Sequence, residues 1–223
     1  MNNLLMRQYG FLTPDKWENR TVHIIGCGGL GSPLALMLAK MGAEEVSLYD
    51  KDTVEDVNIN NQLFGPKDIG KTKVDAVKEN IQALSGIQKV NTFHGDVLSQ
   101  EIILTNNDIV ILALDSNDVR MQMYEILISR MFSGLVVDPR MGGLVCSVYS
   151  VHGGTAMLDY QKFTPTDTSV PDAVCTEKAI VFNTFGCGAI ASEVVRKYLN
   201  GQLPESFHHQ LDFVNLLLMQ ILK

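Results

Sequence analysis

Residues 26–32 read GCGGLGS, and their surroundings limit the chain to a small set of folds. Before them, Thr21–Ile25 (TVHII) is an apolar run of strand length; after them, Leu34–Met41 (LALMLAKM) continues as a helix. A glycine-rich turn between a strand and a helix brings backbone N–H groups close to phosphate at the positive end of the helix dipole. In that arrangement Gly26 permits the tight turn, Gly28 lets a ligand reach the backbone, and Gly31 lets the helix pack on the strand. The next apolar run, Val46–Tyr49, ends in Asp50, nineteen residues beyond Gly31, where such folds place an acid on a ribose. Packing alone is the bland account of the glycines, but it leaves the order strand, loop, helix, strand, acid unexplained. The pattern implies nucleotide binding.

GxGxxG by itself suggests NAD or FAD, and an NAD-dependent oxidoreductase is the reading that rests on the glycine loop and Asp50 alone. The following residues argue otherwise. Asp50–Val74 reads DKDTVEDVNINNQLFGPKDIGKTKV, a long polar insertion where a dehydrogenase usually moves on to its next helix and strand. Lys71 and Lys73 lie just beyond the ribose position, where a flexible point charge suits a triphosphate and its metal. A solvated surface loop ahead of a helix is the alternative for any one of these side chains.

At these residues the chain resembles the ubiquitin-activating-enzyme-like superfamily in its prokaryotic form, the MoeB/ThiF/HesA adenylyltransferases. That pattern runs GxGGLGS, DxDxVxxSNLNRQ and GxxK, then a strand ending in Asp followed by Asn or Ser and an Arg. Here GCGGLGS stands at residues 26–32, DKDTVEDVNINNQ at 50–62, GKTK at 70–73 and LDSNDVR at 114–120. The resemblance covers at least residues 7–145 and, more loosely, a C-terminal helix over 179–199.

The resemblance implies an adenylyltransferase that uses ATP and Mg²⁺. Its substrate would be the C-terminal glycine carboxylate of a small ubiquitin-like or sulfur-carrier protein ending in Gly-Gly, and its products an acyl-adenylate and pyrophosphate. Carried over by position, the nucleotide site comprises Gly26, Gly28, Gly29, Gly31, Asp50, Asp52, Asn58, Asn61, Gln62, Lys73, Asp115 and Ser116. Asp50 would hold the ribose, Lys73 would neutralise phosphate charge, and Asp115 would hold the Mg²⁺. Such chemistry brings anions together and needs positioned cations. Asp115 follows the apolar run Ile109–Leu114, at a strand's carboxyl end, where open α/β sheets bind ligands. An alternative for Asp115 is a helix N-cap.

One departure stands out: Asn61 precedes Gln62 where the family has an arginine on the ATP phosphates. Losing a charge-assisted bond in such a site costs about 1.5–3 kcal/mol. Arg7-Gln8 resembles the family's N-terminal Arg-Gln, whose arginine reaches the nucleotide of a partner subunit, which implies a homodimer; a solvated arm is the alternative for Arg7. A catalytically degenerate subunit that keeps the fold and only binds is the rival motivated by Asn61.

Four cysteines, Cys27, Cys146, Cys175 and Cys187, are too scattered for a disulfide framework or a zinc site, so no zinc is expected. Cys27 reads as a small filler, and Cys146 and Cys187 as buried thiols. Cys175 stands in VCTEK after the polar stretch 164–172, and some members of the family use a cysteine followed by Thr to accept the activated protein as thioester or persulfide. A helix N-terminus there would favour the thiolate, and a structural cysteine is the alternative.

With 46% apolar and 19% charged residues in 223, wholesale disorder is not expected, and a net charge of -7 argues against nucleic acid as partner. No run of eighteen apolar residues and no signal-peptide pattern is visible, so no membrane association and a cytoplasmic location are expected. Alternating strands and helices predict an α/β, Rossmann-like, mostly parallel sheet with helices on both faces and a C-terminal antiparallel extension. We expect one domain over 1–223: a nucleotide-binding half over 1–141, then the extension and C-terminal helix over 142–223. Strands are expected at 22–25, 46–50, 90–94, 109–114 and 135–138, and helices at 31–41, 72–85, 118–131 and 178–199. Residues 144–151 and 155–160 around Gly153-Gly154 read as a hairpin. The apolar stretch 212–222 should be buried against the body or a partner, and His208-His209 reads as a surface pair.

Overall fold

The computed structural model describes residues 3–163 and 180–221. Five strands alternate with helices: β1 (Thr21–Ile25), α1 (Gly31–Lys40), β2 (Glu45–Asp50), α2 (Lys73–Ser85), β3 (Lys89–His94), β4 (Ile109–Leu112), α3 (Asn117–Ser129) and β5 (Leu135–Gly142). Then come β6 (Val145–Val151), α4 (Gly154–Phe163), α5 (Val181–Leu199), β7 (Ser206–Asp212) and β8 (Leu217–Ile221). They form an eight-stranded sheet of order β3-β2-β1-β4-β5-β6-β7-β8. Neighbours from β3 to β5 pair in parallel; from β5 to β8 they pair antiparallel. The Rossmann-like, mostly parallel sheet with an antiparallel extension is the architecture expected.

The parallel strands β1, β2 and β4 are buried on both faces, which explains their nearly unbroken apolar runs, whereas β3 at the sheet edge buries only Val90. In β1, Val22 and Ile24 join α1, α2 and α5 in one core, while Ile25 faces a second core with α3 and α4. The helices have readable ends. Thr72 caps α2 by accepting from the Asp75 amide at 3.3 Å, and Gly86 closes it at φ +79. Ser116 caps α3 through the Val119 amide at 3.3 Å.

Two expectations fail and a third is narrowed. Residues 155–160 are helix, not strand. In an alternating strand Leu158 would share a face with Ala156 and Tyr160; instead Ala156, Met157 and Tyr160 are buried together and Leu158 is 62% exposed, as helical spacing requires. The hairpin partner of β6 is β5, and its turn is Gly143-Leu144, with Gly143 at φ +59. Of the two burials expected for the apolar C-terminal stretch, against the body or against a partner, the first is not made by residues 214–220, which are exposed. They form the turn before β8 and β8 itself, with Leu216 81% and Val214 67% exposed. Nor is His208-His209 a surface pair. Both lie on β7, where period-two alternation turns His209 inward beside Phe207, and burial pushes its imidazole down to about 4.

Candidate active site

The glycine loop starts where β1 ends. Gly26 sits at φ +95, and a Cβ there would meet the Ala113 carbonyl oxygen at 2.3 Å. A Cβ on Gly31 would lie 1.8 Å from the Gly26 carbonyl oxygen. These two glycines are demanded by packing. Gly28 and Gly29 are not: the nearest heavy atoms to their Cβ positions are Gln62 Oε1 at 3.9 Å and Thr184 Cγ2 at 3.4 Å. At those distances a Cβ would make ordinary van der Waals contact, so packing does not require glycine at either position. Gly31→Ala is therefore expected to destabilise the fold by about 3 kcal/mol or more. Gly28→Ala should leave the melting temperature within about 2 °C and weaken nucleotide binding about tenfold. Thermal melts and calorimetry on both variants check this, and equal melting temperatures for the pair would refute it.

The acid at the end of β2 is tied to this loop. Asp50 Oδ2 accepts from the Cys27 amide at 2.6 Å and Oδ1 from the Asp52 amide at 2.8 Å. A carboxylate has about four acceptor positions, so capacity for hydroxyl donors remains. Cys27 is fully buried, and burial with the nearby Asp50 charge pushes its thiol well above the usual range, as suits a filler. Ser32 Oγ donates to the Gly28 carbonyl at 2.7 Å and accepts from the Leu63 amide at 3.0 Å. That double bond pattern pins residues 61–63 over the loop. The Asn61 carbonyl oxygen lies 3.9 Å from the Gly29 Cβ position. Gln62 Oε1, buried beside Gly28, has no hydrogen-bond partner among the described residues. Asn58 is used locally: its Oδ1 accepts from the Glu55 amide at 2.9 Å.

The two lysines part company. Lys71 Nζ pairs with Glu79 Oε2 at 2.5 Å and Asp68 Oδ1 at 3.4 Å, so its charge is spent on the flank of α2. Lys73, at the first turn of α2, turns inward and meets Asp52 Oδ2 at 2.8 Å, with its own side chain 11% exposed. Burial pulls its pKa down, but the Asp52 hydrogen bond and the charges of Asp50, Asp52 and Asp115 outweigh that and raise it above the ordinary lysine value. It is a fixed cation beside the loop. Asp115 is exposed just past β4, and the cap of α3 is Ser116, so the capping role considered for Asp115 is overturned.

Arg7 lies elsewhere. Its helical turn, Asn3–Gln8, is anchored by Gln8 Nε2 on the Lys40 carbonyl at 2.7 Å, at the far end of α1 from Gly31. A ten-residue helix spans about 15 Å, so Arg7 sits away from the glycine loop of its own chain. Cys175 falls outside the described residues.

Sequence reading missed one cluster. Asp138, wholly buried on β5, meets Arg120 Nε at 2.9 Å with Oδ1. Its Oδ2 accepts from Arg140 Nε at 2.8 Å, Arg140 Nη2 at 2.6 Å and the Tyr160 hydroxyl. Arg140 also lies 5.1 Å over the Tyr149 ring. Arg120 stands in LDSNDVR, and Asp138 and Arg140 flank a proline at the end of an apolar run, which was the available signal.

Against known proteins, the ThiF family model matches residues 1–223. "Adenylyltransferase and sulfurtransferase MOCS3" of Culex quinquefasciatus is 33% identical over 116 residues, 51% of this chain and 26% of that protein. "Ubiquitin-like modifier-activating enzyme 5" of Oryza sativa subsp. japonica is 46% identical over 73 residues, 33% of this chain and 17% of that protein. The chain thus spans about a quarter or less of the length of these curated relatives. The crystal structure of E. coli MccB with ATP superposes with a TM-score of 0.80 at 15% identity, over 99% of this chain and 71% of that one. MccB with AMPCPP and selenomethionyl MccA gives 0.77 at 16%, with the same coverage. At such identities the likeness is one of fold. The glycine loop, the acid after β2 and the lysine on α2 sit in a sheet of that kind, and with the family model matched from end to end this chain belongs to the ThiF family.

Proposed function

We propose that the chain is an ATP-dependent adenylyltransferase that activates the C-terminal glycine carboxylate of a small ubiquitin-like or sulfur-carrier protein ending in Gly-Gly. ATP would lie along the Gly26–Gly31 loop, its ribose at Asp50 and its phosphates toward Lys73 and Asp115. A carboxylate oxygen of the carrier attacks the α-phosphorus while the bond to the α,β-bridging oxygen breaks, leaving acyl-adenylate and pyrophosphate. No net proton is consumed, so the demand on the protein is charge and alignment. The observation that carries this reading is Lys73, held protonated among Asp50, Asp52 and Asp115 beside a loop where packing does not require glycine at 28 or 29. The relatives named for adenylyl transfer and for ubiquitin-like modifier activation support the class.

Mg²⁺ fits this donor set only together with nucleotide. Among the described residues no cluster of three or more His, Cys, Asp or Glu is arranged to hold a metal. Mg²⁺ characteristically takes one or two carboxylates plus phosphate oxygens and water, and Asp115 provides the carboxylate. Bound there, the ion would supply charge neutralisation at the phosphates. The opposing bookkeeping is telling: one lysine faces three carboxylates, so a polyphosphate needs further positive charge to settle in the site. Calorimetry is expected to show no Mg²⁺ binding to the protein alone, ATP binding strengthened about tenfold or more by Mg²⁺, and weaker binding of NAD. Tight NAD binding without ATP binding would overturn the proposal.

The second reading, a subunit that binds nucleotide or carrier without turnover, is favoured by Asn61 standing uncharged beside Gly29. ATP binding with no ATP–pyrophosphate exchange toward any carrier ending in Gly-Gly would make it the better one. Among the described residues no helix is long and apolar enough to cross a membrane. A cytoplasmic homodimer acting on a protein tail is the setting that goes with the first reading.

A further inference from the structure

The Arg120 guanidinium holds both sides of Asp115. Its Nη2 donates to the Leu114 carbonyl and its Nη1 to Asn117 Oδ1 at 2.6 Å, while its Nε meets Asp138 Oδ1 at 2.9 Å. Leu114 precedes Asp115 and Asn117 opens α3, so one planar group spans the turn that presents the carboxylate. The side chain of Arg120 is only 5% exposed, although Asp115 itself faces solvent. The far anchor is equally fixed. Asp138 is wholly buried, and its second oxygen is filled by Arg140 and by the Tyr160 hydroxyl, leaving Oδ1 for Arg120. Tyr160 is in turn stacked on Tyr124 of α3, with ring centroids 4.2 Å apart. An exposed loop carboxylate ordinarily samples many orientations; here Leu114 on one side of it and Asn117 on the other are hung from a buried ion cluster.

Resting on the ATP-Mg²⁺ reading above, we propose that Arg120 is a positioning residue: it fixes the Leu114–Asn117 turn against Asp138, so that the Asp115 carboxylate is already aimed at the nucleotide's metal. The requirement is for a fork rather than for a charge. A guanidinium presents five donors in a fixed plane and can serve Asp138, Leu114 and Asn117 together, whereas an ammonium is a point charge on a flexible stem. Lysine at 120 would still neutralise Asp138 but would release the turn. Groups behind a metal ligand commonly change metal affinity by about 10–100-fold, which sets the expected size of the effect.

The test is ATP affinity by calorimetry with Mg²⁺ and with EDTA, read as the ratio of the two, for the wild type, Asp115→Asn, Arg120→Lys, Arg120→Gln and the double variant Asp115→Asn/Arg120→Lys. Arg120→Lys is expected to lower the ratio about tenfold with the protein still folded, and the double variant to go no lower than Asp115→Asn alone. Arg120→Gln leaves Asp138 short of a partner and is expected to lower the melting temperature as well. A folded Arg120→Lys protein with the wild-type ratio overturns the inference, whatever Arg120→Gln does. So does a double variant whose losses simply add. A wild type that binds no ATP overturns the functional reading and this inference together, whereas a wild type with a strong Mg²⁺ effect that Arg120→Lys preserves removes only the second.

Discussion

Lys73→Ala is expected to reduce ATP–pyrophosphate exchange by about 10³-fold while the protein still melts cooperatively within a few degrees of wild type. The reason lies in the local charge. Lys73 is the cation set among Asp50, Asp52 and Asp115, and without it the phosphates of ATP would meet three carboxylates. The fold should tolerate the change because Asp52, the direct partner, has a side chain that is half exposed and can be hydrated once the ammonium is gone. Asp115→Ala is expected to give a loss of the same order, since the metal would lose its protein carboxylate. The pH dependence follows from the sign of the shift. The folded pKa of Lys73 lies above the ordinary 10.5, so its charge and the stability it contributes are complete at neutral pH and fade only as pH rises through that raised value. Exchange should therefore show no loss assignable to Lys73 below about pH 10. Exchange measured with labelled pyrophosphate that is unchanged in Lys73→Ala would remove this residue from the mechanism.

Much of the candidate site was legible because its parts are local in sequence. GCGGLGS, the acid after β2 and Lys73 in GKTK each occupy a short segment whose strand and helix neighbours are strongly apolar. The structure divides the glycines by task in a way the motif alone does not. A side chain at Gly26 would strike the Ala113 carbonyl beyond β4 and one at Gly31 the Gly26 carbonyl, whereas a Cβ at Gly28 or Gly29 would make only ordinary contact. The pairing of Arg120 with Asp138 was not legible, because its members are eighteen positions apart with most of α3 between them, and a buried ion pair leaves no periodic mark. Both arginines and the aspartate could be seen, but not their meeting. The antiparallel extension was foreseen in kind and misplaced in detail. Gly153-Gly154 looked like a hairpin turn, yet the burial of Ala156, Met157 and Tyr160 on one side requires a helix. β7 reads SFHHQLD, too polar to announce a strand, and only its pairing with β6 makes one of it.

Mixing two inactive proteins is expected to restore activity. The glycine loop lies at the start of α1 and Arg7 is anchored at its other end, through Gln8 on the Lys40 carbonyl and Trp17 Nε1 on the Met41 carbonyl at 3.0 Å. Arg7 is exposed there and cannot serve the loop of its own chain without unmaking that anchorage. A second copy related by a two-fold axis can receive it, because an isologous interface lets each subunit give and take the same arm. The need is set by Asn61, which brings no charge to a position where the family has arginine. In an Arg7→Ala dimer both sites lack the arm, and in an Asp115→Ala dimer both lack the proposed metal ligand. A dimer of one of each holds one site damaged twice and one intact, so exchange should return to about half the wild-type rate per verified mixed dimer. The arrangement is disproved by a mixed dimer, confirmed by mass, that stays inactive, and equally by a fully active monomer in light scattering. Recovery would at once locate Arg7 in the partner's site and explain how a chain with asparagine at position 61 keeps enough positive charge on the phosphates to transfer an adenylyl group.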